Sequence, residues 1–260
     1  MMAECAHAEA LRRFGVHSLL TPFGSVAKTV GDATTVEGAI LHLAPSDYGE
    51  RGRSVCPWAT EGCRAACLAT SGRGQFRGRI SRAALLRHPI HRARVARTRL
   101  FWRDRPLFLE CLVEELRRLS TRAERRGVPA VARLNGTSDI PWETVLRKGL
   151  EIIGTAVQFF DYTKSVRRMG RFLRGDMPTG YHLTFSLPHR SRVDDARRIL
   201  DAGGTVAVVF RPSIPDRWEG FPVVDGTGSD LRYLDPPATI VGLLPKGRAK
   251  RDRSGFVVDV

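Results

Sequence analysis

The chain has no apolar run long enough to span a membrane as a helix, and no apolar signal segment follows Met1. Cysteine is scarce and odd in number, five in 260 residues, which argues against a disulfide framework and suits a reducing cytosol. The expectation is therefore a cytoplasmic protein without a membrane partner. No Gly-rich dinucleotide fingerprint or phosphate loop joins a strand to a helix, which argues against a doubly wound nucleotide-binding sheet. Lysine and acidic residues are both in short supply, and arginine fills the gap. The net charge is +15 and the pI about 10.7.

What the chain does have is a concentration of thiols. Cys56, Cys63 and Cys67 stand in one short stretch with C-x6-C-x3-C spacing, flanked by Pro, Gly and small residues. Thiolates so close repel one another unless a cation lies between them, so the spacing points to a metal or an iron–sulfur cluster. Three ligands instead of four leave a coordination position open, as sites that do chemistry require. Plainer readings stand beside this one. Cys63 and Cys67 are four apart and could share a helical face as inert thiols, or two of the three could pair as a disulfide. His42, just ahead of the loop, is the candidate for a fourth ligand. Cys5 is isolated, and Cys111 falls in an amphipathic run, where it reads as core.

Short β-branched runs recur at 39–44, 128–134, 156–160, 181–187, 205–210, 239–243 and 255–260. Helical patterns lie between several of them, at 106–126, 142–153, 165–174 and 191–202, with Asp139 as a candidate cap for the second. This alternation predicts an α/β fold with mostly parallel strands, a partial (β/α) barrel with the cysteine loop after its first strand. Residues 1–38 read as an N-terminal extension and 39–260 as one barrel-like domain with the cysteine loop at 56–67.

In a parallel sheet the strand C-termini gather at one rim, where barrel enzymes keep their chemistry. Polar residues follow apolar strands there repeatedly. Asn135, Ser138 and Asp139 follow one strand, Asp161 and Lys164 another, and Ser186 and Arg211 close two more. Asn135, Asp139, Asp161 and Lys164 are the candidate catalytic set, and Ser138, Ser186 and Arg211 the candidate cofactor contacts. Turn and cap chemistry uses the same residue types, so each alone is weak.

From Arg77 to Arg126 there are fifteen arginines against five acidic residues, and a second basic patch lies at 246–251. Clustered arginine suits a polyanion, which makes nucleic acid the expected partner; the competing reading is a solvated helix face.

Together the cysteine loop, the Asn135–Asp139 segment, the Asp161-Tyr162-Thr163-Lys164 run, and the segments around Asp230-Leu231-Arg232, Asp235 and Lys246-Gly247 resemble a phage family known as gene product eighty-eight. The likeness runs from about Ala39 to Val260. That family in turn looks like three-cysteine phage proteins related to radical S-adenosylmethionine (SAM) enzymes. The resemblance implies that Cys56, Cys63 and Cys67 hold a [4Fe-4S] cluster, that the open iron binds SAM, and that the segment from Asn135 to Asp139 receives the methionine amine. It also implies the cytoplasm of an infected or host bacterium. The spacing differs from the usual C-x3-C-x2-C, Ala66 stands where an aromatic is usual, and no Gly-Gly-Glu is present. The expected function is an iron–sulfur enzyme acting on nucleic acid or a nucleotide. The alternatives are a zinc- or cluster-stabilised protein that binds nucleic acid or a host factor, and a base-exchanging transglycosylase with structural zinc and Asp139 or Asp161 as nucleophile.

Overall fold

The computed structural model describes residues 9–46, 48–50, 52–75 and 82–260. Cys5, Arg77 and Arg79 lie outside the described residues. Each expected strand is present: β2 (Glu37–Leu41), β3 (Ala130–Arg133), β4 (Gln158–Thr163), β5 (Tyr181–Ser186), β6 (Val206–Arg211), β9 (Ile240–Leu243) and β10 (Val257–Asp259). The sequence pattern did not reveal β1 (Leu20–Pro22), β7 (Arg217–Trp218) and β8 (Phe221–Asp225). These are short or half-exposed, and the apolar alternation that identifies a strand is weak in them.

The ten strands form one sheet in the order β1-β2-β3-β4-β5-β6-β9-β8-β7, with β10 paired to β6. From β2 to β8 all neighbours are parallel, while β1 and β7 are antiparallel to β2 and β8. The sheet does not close, so the barrel expectation is corrected to an open, mostly parallel α/β sheet. Short antiparallel strands end it on both sides, one carrying Pro22, and such edges offer little to a further strand. The cysteine loop follows the first parallel strand, β2, which is the second strand of the sheet. β1 and the first residues of β2 lie within the segment read as an extension.

Alternation along the strands sorts side chains onto two unlike faces. Ala39, Leu41, Ala132, Phe159, Leu183, Phe185 and Val208 pack with the helices in the main core. The helix Arg105–Arg126 supplies Phe108, Leu112, Leu116, Leu119 and Ala123 to it, at the three-and-four spacing legible in the sequence. Asp104 caps it through the Leu107 N–H, and Gly127 ends it with a φ of 65°. Cys111 is 2% exposed on this face, the core residue expected of it. Ile40, Val131 and Phe160 face the other way, against Phe23, Val36 and Leu231 in a smaller cluster. Among the described residues no long helix covers that face; the segments 23–36 and 229–235 do.

The helix expected over 142–153 is two, Trp142–Val145 and Arg147–Ile153, broken at Leu146. Asp139 does not cap the first of them. Its carboxylate has stronger partners elsewhere.

Candidate functional site

The segment after β2 crosses the C-terminal edge of the sheet and is tied to the loops that leave β3 and β5. The Asp139 N–H donates to the Val55 carbonyl at 2.8 Å, and the Thr137 hydroxyl to the Leu43 carbonyl at 2.5 Å. Thr60 caps the short helix Glu61–Ala65 through the Cys63 N–H, and its hydroxyl donates to the Pro188 carbonyl at 3.1 Å. Gly136 lies against β2, where a Cβ would meet Ile40 at 2.5 Å and the Leu41 carbonyl at 2.8 Å. The Asn135-Gly136 turn therefore requires glycine.

These ties bring the three thiols within electrostatic reach of one another. Cys56, Cys63 and Cys67 are all half-buried, and none is in a disulfide. The Ser46 N–H donates to Cys56 Sγ at 3.3 Å, and Cys56 Sγ lies 3.8 Å from the Thr137 carbonyl. Burial pushes the Cys56 thiol up to about 12, the Ser46 N–H opposes this, and Cys67, Cys63 and Asp139 add to it. Cys67 is pushed up by burial, against an Ala69 N–H, with Cys63 adding its charge. Each therefore lies within electrostatic reach of the other two. Among the described residues no group of three or more His, Cys, Asp and Glu side chains is arranged to hold a metal ion.

Lys164 sits beside these thiols. Its Nζ donates to Ser186 Oγ at 2.7 Å and lies 5.1 Å from the centre of the Phe256 ring. Burial lowers its pKa, while Cys63, Asp139, Cys56 and Cys67 all favour its charge. An ammonium held among thiols is the cation that would balance their ionised forms.

Asp139 is 7% exposed and bridges two partners. One oxygen accepts from the Lys164 N–H at 2.9 Å and the other from Arg168 Nη1 at 2.8 Å. Burial raises its pKa, and Arg168 pulls the other way. Arg168 also makes two bonds to Glu143, at 3.0 and 2.7 Å, and its guanidinium lies 5.7 Å from the Trp58 ring of the cysteine loop. Neither Arg168 nor Glu143 stood out in the sequence. Among so many arginines nothing marks a buried one.

Asn135 and Asp161 form a second, adjoining network on the helix-covered face. Asp161 is 1% exposed and accepts from the Asn135 N–H at 2.6 Å, Asn135 Nδ2 at 3.1 Å and Tyr181 Oη at 2.6 Å. Asn135 Oδ1 accepts from Ser138 Oγ, the Ile140 N–H and Trp142 Nε1. Burial lifts Asp161 to about 7, against its bonds to Tyr181 and Asn135. Asn135, Ser138 and Asp161 thus spend their polar atoms holding the β3 loop in shape. Arg211 is not brought to the thiols either. It grips Asp259 of β10 at 2.7 and 2.9 Å. His42 is half-buried near Arg94, Arg133 and Arg97, and desolvation, chiefly, pushes it down to about 3.

The arginine-rich helix Pro89–Arg103 does not present its charge as a stripe. Arg94 and Arg97 turn inward to the Ala69 and Ser18 carbonyls, leaving Arg92 and Arg103 exposed. On the next helix, Arg122 and Arg126 pair with Glu37, and Arg118 with Glu114. Exposed cations do lie by the cysteine loop: Arg64 within it, and Lys246, Lys250 and Arg251 on a turn packed against Leu68–Thr70. Lys246 and Lys250 line a pocket of about 400 Å³ with Ser71, Gly72, Gln75 and Gly247.

No curated protein and no solved structure matches the chain. A family described as Gene product 88 matches residues 24–260, and the chain belongs to that family.

Proposed function

We propose that Cys56, Cys63 and Cys67 bind an iron–sulfur cluster of the [4Fe-4S] type at the C-terminal edge of the sheet, in an enzyme that acts on nucleic acid or a nucleotide. The observation that carries this reading is that three half-buried thiols of one loop lie within electrostatic reach of one another and of Lys164. Left as neutral thiols, Cys56 and Cys67 are poor ligands; a metal centre would ionise them, and Lys164 would offset part of the charge that results. Their sulfurs would have to draw together to grip it, a change within the 56–67 segment that carries all three. A cluster held by three cysteines keeps one iron open, to bind a substrate heteroatom or the amino and carboxylate groups of SAM. Lys164 and Ser186 would orient that reactant, and the Asp139 carboxylate holds Lys164 through its backbone N–H. The basic turn at Lys246, Lys250 and Arg251 is the surface for a phosphate-bearing substrate.

Anaerobic purification followed by a visible spectrum and iron, sulfide and zinc analysis tests the reading. We expect a brown protein absorbing near ~400 nm, as thiolate-ligated clusters do. Its iron should be lost in Cys56→Ala, Cys63→Ala and Cys67→Ala and kept in Cys111→Ala. Zinc without iron or sulfide would replace the cluster with a structural site, and a metal-free protein with unaltered thiols would end the proposal. For the substrate class, polynucleotide binding should fall steeply with salt and weaken when Lys246, Lys250 and Arg251 are reversed to Glu.

A further inference from the structure

The face of the sheet without long helices carries an unusual set of buried polar atoms that lack hydrogen-bond partners among the described residues. They are Arg232 Nε and Nη1, Arg133 Nε, Tyr162 Oη, His182 Nε2 and Asp235 Oδ2. Buried donors and acceptors are nearly always satisfied, so a cluster left open on one surface calls for a missing partner. Arg232 is only 3% exposed. A guanidinium so buried with two idle donors is costly unless something accepts from it.

The fold places these groups together. Tyr162 and His182 share the face of β4 and β5 that carries Phe160, because Phe160 pairs with His182 and Tyr162 with Thr184. The Arg133 guanidinium lies 4.7 Å from the centre of the Tyr162 ring. The turn Arg232–Leu234 packs across β4 and β5, bringing Arg232 and Asp235 over them. Gly226 leaves Arg232 its room, since a Cβ there would stand 2.9 Å from Nη1. Leu234 is 66% exposed and the Asp235 side chain 12%, so the turn lies at the surface.

The neighbouring charges are already paired off. Asp230 accepts from Lys28 at 2.7 Å and from Arg133 Nη1 at 2.6 Å, and its own N–H donates to Asp32. Arg232 Nη2 donates to the Ser229 carbonyl at 2.9 Å. Arg232 Nη1 lies 3.3 Å from Asp235 Oδ2, yet the two are not aligned as a hydrogen bond. What remains idle is three cationic N–H donors, a hydroxyl, an imidazole nitrogen and one carboxylate oxygen.

We propose that this face binds a protonated phosphate group, as inorganic phosphate or the end of a phosphate monoester. The donors of Arg232 and Arg133, with Tyr162, match the unprotonated oxygens of a tetrahedral oxyanion. The idle Asp235 oxygen would repel a fully deprotonated anion but accepts from a P–OH. A group that offers both is a hydrogen phosphate. Sulfate has no proton to give, and neither does a phosphodiester in a nucleic-acid backbone. The proposal does not rest on the thiol centre, and the experiments on the two share no variant.

The test is calorimetric titration of the whole protein with inorganic phosphate, a simple phosphate monoester, sulfate and acetate, at about pH 6, where half of a monoester keeps its second proton. We expect one site that prefers phosphate to sulfate by about tenfold or more, the worth of one hydrogen bond to a charged group. Binding of the monoester as well as the free ion shows that the site reads a terminal phosphate; binding of the free ion alone marks it as closed over a small anion. Tyr162→Phe removes an idle hydroxyl without altering charge or volume much, so it should leave the melting temperature in place and weaken phosphate about tenfold. Asp235→Asn should erase the preference over sulfate. Absence of binding would mean that water fills the site. Equal affinity for sulfate, or phosphate binding indifferent to Tyr162→Phe, would mean only attraction to a basic surface. Any of these overturns the proposal.

Discussion

Two buried polar clusters lie on opposite faces of the same strands and could hardly be more different. On the helix-covered face and its rim, Asn135, Asp139, Asp161, Glu143, Arg168 and Tyr181 engage one another fully: two carboxylates meet one guanidinium, and the third meets an amide and a phenol. On the other face, Arg133, Tyr162, His182, Arg232 and Asp235 each keep an atom with no hydrogen-bond partner among the described residues. The first cluster has completed its bonding within the fold. The second has capacity left for something from outside. Residue type does not separate them, since both mix acids, arginine and tyrosine. The count of unspent hydrogen bonds does, and it marks the second as the better binding site and the first as architecture.

The contrast is tested hardest at Arg168. Replacing it by Met would leave Asp139 and Glu143 buried without their cation, and removing one partner of a buried pair costs about 3–5 kcal/mol. Urea unfolding at neutral pH should show that loss. A change below about 1 kcal/mol would mean that the rim cluster is not the closed unit described here.

A smaller effect is expected at Asp161. Burial holds it at about 7, against an ordinary value of 3.8, with Tyr181 and Asn135 pulling the other way. As pH rises from about 4 to about 7, the unfolded chain releases a proton that the folded protein retains, so the folded state loses stability over that window and levels off above it. In Asp161→Asn this component disappears. The difference in unfolding free energy between the two proteins should therefore change by up to a few kcal/mol across the window and stay constant above about pH 8. A difference that does not vary with pH would show that Asp161 ionises normally.

The smallest expected effect lies on the open face. In the absence of any ligand, Tyr162→Phe should change stability by less than about 1 kcal/mol, because the hydroxyl it removes makes no bond that folding could lose. Tyr181→Phe, which strips a 2.6 Å bond from a buried carboxylate, should cost more, about 1–3 kcal/mol. Equal costs for the two tyrosines would erase the distinction between the clusters.

The polar residues that the rim rule picked out are all near strand ends, but they divide by role. Cys56, Cys63 and Cys67 lie within electrostatic reach of Lys164, which bonds Ser186 and is held through its N–H by Asp139. Asn135, Ser138 and Asp161 hold a loop, and Arg211 holds the last strand. The rule locates the edge correctly because strand direction follows from the alternation of elements. It cannot say which side chain turns outward at that edge. The arginines teach the same lesson: Arg94 and Arg97 share a helix with Arg92 and Arg103, yet their guanidinium groups satisfy carbonyls of neighbouring segments.

The positions of β2 to β6, β9 and β10, the long amphipathic helix from Arg105 to Arg126, the mostly parallel sheet and the grouping of thiols in one short segment were all determined by the sequence alone. Each depends on apolar periodicity or spacing within a short window, and such patterns act locally. The tertiary structure alone decided that the sheet stays open, that Asp139 faces Arg168 instead of capping a helix, and that Arg232 is left with idle donors. Asp139 and Arg168 are 29 residues apart, and Lys28 and Asp230 are 202 apart. Whether a polar group is buried, and what satisfies it there, depends on segments remote in the chain, so no local window contains the answer.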